Sequence, residues 1–172
     1  MTPEPTARID RRFSDPESHA TPWAEAARAL ADAELYWLTT VRAGGRPHVT
    51  PLVGIADPAD GTVHFCTGLG EQKARNLEHD GRVAVTTGQN TWAQGLDVVV
   101  EGTVARITDR EALQRVADAY EDKYGSAWHF DVGDGAFRAG EGDAAVFRVT
   151  PEKVMAFAKE PHAQTTFRFG GE

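Results

Sequence analysis

Cysteine is almost absent from this chain. Cys66 stands alone among 172 residues, so no disulfide can close within it, and a reducing, cytoplasmic setting is expected. Long apolar runs are missing too. No stretch approaches the roughly 20 apolar residues that cross a bilayer, so no membrane partner is expected. Arg8, Arg11 and Arg12 have no apolar core behind them, which argues against a secretory signal. Basic charge is short: 18 Lys and Arg against 26 Asp and Glu leave a net −8. That argues against a general phosphate-backbone binder, so no nucleic-acid partner is expected, but it leaves room for one local basic pocket. Serine occurs only at Ser14, Ser18 and Ser126, none in a GxSxG elbow, which speaks against a serine hydrolase. His19, His48, His64, His79, His129 and His162 show neither HxH nor HExxH spacing, so no metal site is expected. No phosphate-binding P-loop or GxGxxG fingerprint stands in a usable context.

What remains is an ordinary globular composition, 41% hydrophobic and 26% charged. Residues 1–19, with Pro3, Pro5 and Pro16, read as a flexible N-terminal arm, and 20–172 as one domain. A helix is expected from about Pro22 to Asp32, with Thr21 as cap and Trp23, Ala26, Ala27 and Leu30 at helical spacing. Strands follow at 35–41, 46–55, 62–67, 83–87 and 96–107, with a short helix over about 71–78. The clearest helix begins with a Thr108/Glu111 capping box, carries Leu113, Val116, Ala117 and Tyr120 on one face, and ends near Gly125. A Gly- and Asp-rich loop over 133–143 precedes strands 144–149, 153–158 and 164–169. Many short strands without alternating βαβ units define a mainly β, α+β class: an antiparallel barrel or sandwich with a few flanking helices.

Three segments are candidates for chemistry. The first runs from His64 through Thr67, Gly68 and Gly70 to Gln72, Lys73, Arg75 and Asn76, from a strand into a helix start. Free N–H groups there form a natural anion site. Lys73 and Arg75 oppose the helix dipole, a conflict that a bound phosphate removes; the alternative is that both extend into solvent. In the second, Pro51 interrupts the strand around Val49 and Thr50, marking either a ligand-approached edge or merely a kinked one. In the third, Gln164, Thr166 and Arg168 alternate with Thr165, Phe167 and Phe169, lining either a cleft or an ordinary half-buried strand.

The order TTVRAGGRPHVTPL (39–52), GTVHFCTGLGEQKARNL (61–77), VAVTTG (83–88) and GLDVVVEGTVARITD (95–109) resembles the pyridoxamine-5′-phosphate-oxidase-like superfamily of FMN-binding split barrels. It is most similar to the actinobacterial branch, many of whose members use the deazaflavin coenzyme F420. The likeness covers roughly residues 25–170. It implies a six-stranded antiparallel split β-barrel and a homodimer with cofactor sites at the interface. By this resemblance Lys73 holds the cofactor phosphate with Gln72, Asn76 and Thr67 beside it. Val49, Thr50 and Pro51 run along the ring, while Gln164 and Arg168 reach the cofactor from the second subunit. The arginine-rich C-terminal pattern of true vitamin B6 oxidases is missing, so that activity is not expected.

The resemblance implies an F420-dependent oxidoreductase that passes hydride to a small electron-poor substrate, an enone or quinone. An FMN-binding flavin reductase or oxidase is the first alternative, and a non-catalytic cofactor- or haem-binding protein the second. No side chain stands out as an essential acid; Tyr36, His48 and His64 are the candidates.

Overall fold

The computed structural model describes residues 4–139 and 142–169. In chain order the strands are β1 (Thr6–Ile9), β2 (Tyr36–Val41), β3 (Pro47–Leu52), β4 (Ile55–Ala56), β5 (Val63–Gly68) and β6 (Arg82–Thr87). They continue with β7 (Leu96–Ile107), β8 (Asp131–Val132), β9 (Phe137–Ala139), β10 (Gly142–Lys159) and β11 (His162–Arg168). Helix α1 (Trp23–Asp32) precedes β2, α2 (Gln72–His79) links β5 to β6, and α3 (Arg110–Tyr124) follows β7. Among the described residues, no helix is long and apolar enough to cross a membrane.

The pairings described are all antiparallel, and the sheet runs β1-β11-β10-β7-β6-β2-β3. The long strand β10 is the trunk. β7 accompanies one edge of it, while the other edge carries β5 along Ala144–Val149 and β11 along Lys153–Lys159. The sheet divides at that point, which makes the architecture a split barrel with flanking helices. Four of the eleven strands among the described residues, β1, β4, β8 and β9, have only two to four residues.

Alternation places the core. In β2, Tyr36, Leu38 and Thr40 are buried while Trp37 is half exposed. Phe65, Val85, Val98, Val100 and Phe167 meet Tyr36, Leu38 and Leu30 of α1 in the main core. A second core lies under α3, where Leu113, Val116, Ala117 and Tyr120 pack on Val146 and Phe137. Period-3.6 burial in α3 follows the spacing expected from the sequence.

Several local expectations are corrected. The segment taken as an arm is built into the sheet: β1 pairs with β11 in the register Thr6↔Arg168 to Ile9↔Thr165. A 3-10 turn at Arg11–Phe13 follows, and Gln164 N donates to Ser14 Oγ (3.0 Å). The exposed backbone edge of β11 recruits this polar segment, which composition alone does not show. Residues 1–3 of that arm lie outside the described residues. Thr21 is not the cap of α1; its N–H donates to Thr165 Oγ1 (2.9 Å) and Pro22 takes the cap position. Asp109, not Thr108, caps α3, accepting from Ala112 N (2.8 Å).

The loop expected over 133–143 contains β9, which pairs back on β8 just before it, and the start of β10, with 140–141 outside the described residues. Phe137 anchors it, fully buried and stacked on Phe130 at 4.8 Å between centroids. The two strands expected at 144–149 and 153–158 are one. A bulge between Pro151 and Lys153 absorbs the missing proline N–H, and Gly102 faces it, where a Cβ would lie 2.1 Å from Thr150 O.

Candidate functional site

β5 ends at Thr67 and Gly68, a turn closes through Glu71 N donating to Gly68 O (3.1 Å), and α2 starts at Gln72. This is the strand-to-helix junction expected from the two glycines. The structure fills it in an unexpected way. The Glu71 carboxylate turns back into the junction, accepting from Thr67 Oγ1 (2.9 Å) and Gly68 N (3.2 Å) through one oxygen. Its other oxygen forms an ion pair with Lys73 Nζ. Hydrogen bonding to Lys73, first, and to Thr67 holds the Glu71 carboxyl below the usual carboxylate range.

The conflict between a cation and the helix start is therefore relieved within the chain, by Glu71. Lys73 is buried, whereas Arg75 is exposed, so the two cations separate. A hydroxyl, a backbone N–H and an ammonium converge on one anion: the junction is a built oxyanion-binding set whose present occupant is a side chain. That side chain is 53% exposed, so it has space to swing out.

Along α2, Gln72 Nε2 donates to Asn76 Oδ1 (2.8 Å), and Asn76 Nδ2 donates to Thr40 Oγ1 (2.8 Å). This chain seats α2 on the even-numbered face of the β2–β3 hairpin, where Thr40 is paired with His48. Arg42 and His48, on that same face, carry a buried Nε and a buried Nδ1 without hydrogen-bond partners. Buried polar nitrogens left unpaired are costly and point to a missing partner. The residues present thus fit a phosphate: converging donors at Thr67, Gly68 and Lys73, and orphaned nitrogens beside Thr40. Sequence reasoning missed Arg42 and Glu71. Alternation through the Gly44-Gly45 turn would have put Arg42 with Thr40 and His48; nothing in the sequence marks Glu71 as the internal counterion.

The ring-lining candidates divide by period two. Val49 (55% exposed) and Pro51 project from one face beside Trp37 (50% exposed), with Trp37↔Pro51 and Thr39↔Val49 as cross-strand pairs. Thr50 faces the other way, with Leu38. β3 ends the sheet order, so one row of its polar backbone groups has no sheet neighbour, consistent with the prolines at 47 and 51. Gln164 and Arg168 are not brought to α2 within one chain. β11 pairs with the second half of β10, whereas Thr67 and Gly68 pair with Ala145 and Ala144 at its start.

Tyr36 is removed as an acid candidate. Its hydroxyl donates to Leu30 O and accepts from Lys123 Nζ (3.0 Å), and burial pushes its pKa far up. His64 lies on the other side of β5 from Thr67, and burial, then Arg148, push its pKa down. Cys66 is partly buried beneath α3, and burial raises its thiol pKa, as suits an inert thiol.

A split barrel whose strand-to-helix junction stands beside its edge hairpin defines a fold class, and the family follows from the sequence. The chain belongs to the pyridoxamine 5′-phosphate oxidase family, whose model matches residues 23–157. No curated protein matches the sequence. Among solved structures, a conserved hypothetical protein of Mycobacterium tuberculosis is 21% identical with a TM-score of 0.65, over 90% of this chain and 91% of its own. A haem-binding protein of Mycobacterium smegmatis is 20% identical with a TM-score of 0.66, over 87% of this chain and 60% of its own. An FAD-binding protein of Mesorhizobium loti is 17% identical with a TM-score of 0.59, over 93% and 97%. At these identities the structures establish the fold.

Proposed function

We propose that the chain binds a phosphorylated flavin or deazaflavin at the α2–hairpin junction and works with it as an oxidoreductase, F420 being the cofactor expected and FMN its alternative. The observation that carries this reading is the Glu71 carboxylate held by Thr67, Gly68 and Lys73, which marks a ready-made oxyanion site. When bound, the cofactor supplies hydride transfer to a small electron-poor acceptor such as an enone or quinone. The chain's own part is to bind and orient. Lys73 neutralises the phosphate, Thr67 and the Gly68 N–H donate to it, and Arg42 and His48 gain the partners they lack. Gln72 and Asn76 fix α2 against Thr40. The unpaired backbone of β3 around Val49, Thr50 and Pro51 offers polar groups to the rim of a flat ring.

The site is completed by a second copy. Trp37, Val49 and Pro51 form an apolar strip on the edge hairpin, the kind of surface a homodimer covers. Gln164 and Arg168, distant from α2 in their own chain, then serve the cofactor of the other. Titrating the protein with FMN and with F420, by calorimetry and by fluorescence, tests the reading: saturable binding at one site per chain is expected. Affinity for FMN with none for F420 selects the flavin alternative.

A second reading, cofactor or haem carriage without turnover, is favoured by a structural neighbour described as haem-binding. Haem binding by the purified chain, with no turnover of quinones or enones by the flavin-loaded one, would establish it.

A further inference from the structure

A groove of about 660 Å³ runs between α3 and the outer face of β5, β10 and β7, and it shares no residue with the α2 junction. Its floor is one cross-strand row: Ile55 is paired with His64, His64 with Arg148, and Arg148 with Ala105. Its wall is a flank of α3, with Ala112, Arg115, Val116 and Ala119 three or four residues apart. The two alanines keep that flank low, so the helix leaves the groove open.

The charges there are unbalanced. Arg115 and Arg148 both line the groove, and neither forms an ion pair among the described residues. The groove's two carboxylates stay charged but pair with neither guanidinium: Asp57 accepts from Ala59 N (2.9 Å) and Asp109 caps α3, so three arginines line the groove against two acids. Arg106 turns to Gly135 O (3.3 Å). His64 lies partly buried beside Arg148 and is neutral near pH 7, because burial and that guanidinium lower its pKa. Ile55, Ile107 and Val116 supply apolar surface. In a chain of net charge −8, two guanidiniums without ion-pair partners, beside the apolar side chains of Ile55, Ile107 and Val116, form a site for the opposite charge.

We propose that this groove binds a small amphipathic organic anion, its acid group on Arg115 and Arg148 and its apolar body along Ile55, Ile107 and Val116. A carboxylate and a phosphate monoester share this chemistry. The site is independent of the α2 junction and does not rest on the cofactor reading.

The test is calorimetric titration of the full chain with 1-naphthoate, 1-naphthyl phosphate and the uncharged 1-naphthalenemethanol. Saturable binding of an anion at the groove is expected in the wild type and in Lys73→Ala. Arg148→Ala and Arg115→Ala should each weaken it at least tenfold, and naphthalenemethanol should bind at least tenfold more weakly. Both arginines are exposed, so the variants keep the fold, checked by circular dichroism. The stronger of the two anions identifies the acid group. No saturable binding of either anion, or equal affinity in the double variant Arg115→Ala/Arg148→Ala, would overturn the proposal. Loss of all binding in Lys73→Ala would overturn it as well, by assigning the anions to the junction.

Discussion

The Lys73 ammonium and the Glu71 carboxylate form an ion pair at the mouth of α2, with Lys73 buried and Glu71 half exposed. One partner is fixed and the other can leave, so the pair describes a permanent cation with a replaceable anion. A phosphate that reaches Lys73 takes over the hydrogen bonds from Thr67 Oγ1 and Gly68 N that Glu71 now accepts.

Lys73→Ala removes the one buried cation of the junction. Binding of FMN or F420 should weaken by about 1–3 kcal/mol, the range of a charge-assisted hydrogen bond. Lys73→Glu should be worse, because it sets like charge against phosphate. Dissociation constants of the three proteins check both statements.

Glu71→Gln keeps the shape of the side chain and removes its charge. The competing anion is then gone while Lys73 and Thr67 remain, so cofactor and inorganic phosphate should both bind more tightly than to the wild type. Since Glu71 stays ionised below the usual carboxylate range, the advantage should persist from pH 5 to pH 8. Weaker phosphate binding by the variant would show that Glu71 supports the site rather than competing for it.

Lys123 gives the fold a pH dependence. Its ammonium donates to Tyr36 Oη (3.0 Å) and Gly54 O (3.1 Å), and burial pushes its pKa from 10.5 down to about 8. Below pH 8 both folded and unfolded chains hold the proton. Between about 8 and 10.5 the unfolded chain keeps a proton that the folded one has released, so stability rises with pH across that window. Urea unfolding at pH 7.5 and 9.5 should show this gain in the wild type and a smaller one in Lys123→Met.

Gly102→Ala tests the bulge in β10. The added methyl meets the backbone carbonyl of Thr150, and neither strand can yield without breaking the β7–β10 ladder. A loss of about 1–3 kcal/mol, as for overpacking, is expected by denaturant titration.

Much of this fold is written in local patterns. The faces of α1 and α3, the limits of β7 and the alternation of β11 follow from spacing, because burial selects one side of each element. Long-range pairings were not legible. β1 is a strand because β11 offers it an edge, and β10 is continuous through Pro151 because Gly102, far away in sequence, lets the chains approach. The junction was legible as far as Gly68, Lys73 and Asn76, where residue types and order carry the signal. The turn that sends Glu71 back to Lys73 depends on side-chain placement two residues apart, and the orphaned Arg42 and His48 depend on how the hairpin meets α2.

The central claim is that an anionic cofactor group is held by the ammonium at position 73. Calorimetric titration of the wild type and Lys73→Ala, side by side, with FMN and F420 measures it directly. The account expects saturable binding of at least one cofactor by the wild type, weakened about fivefold or more in the variant. Equal affinity in the two proteins, or no binding of either cofactor by the wild type, would contradict it.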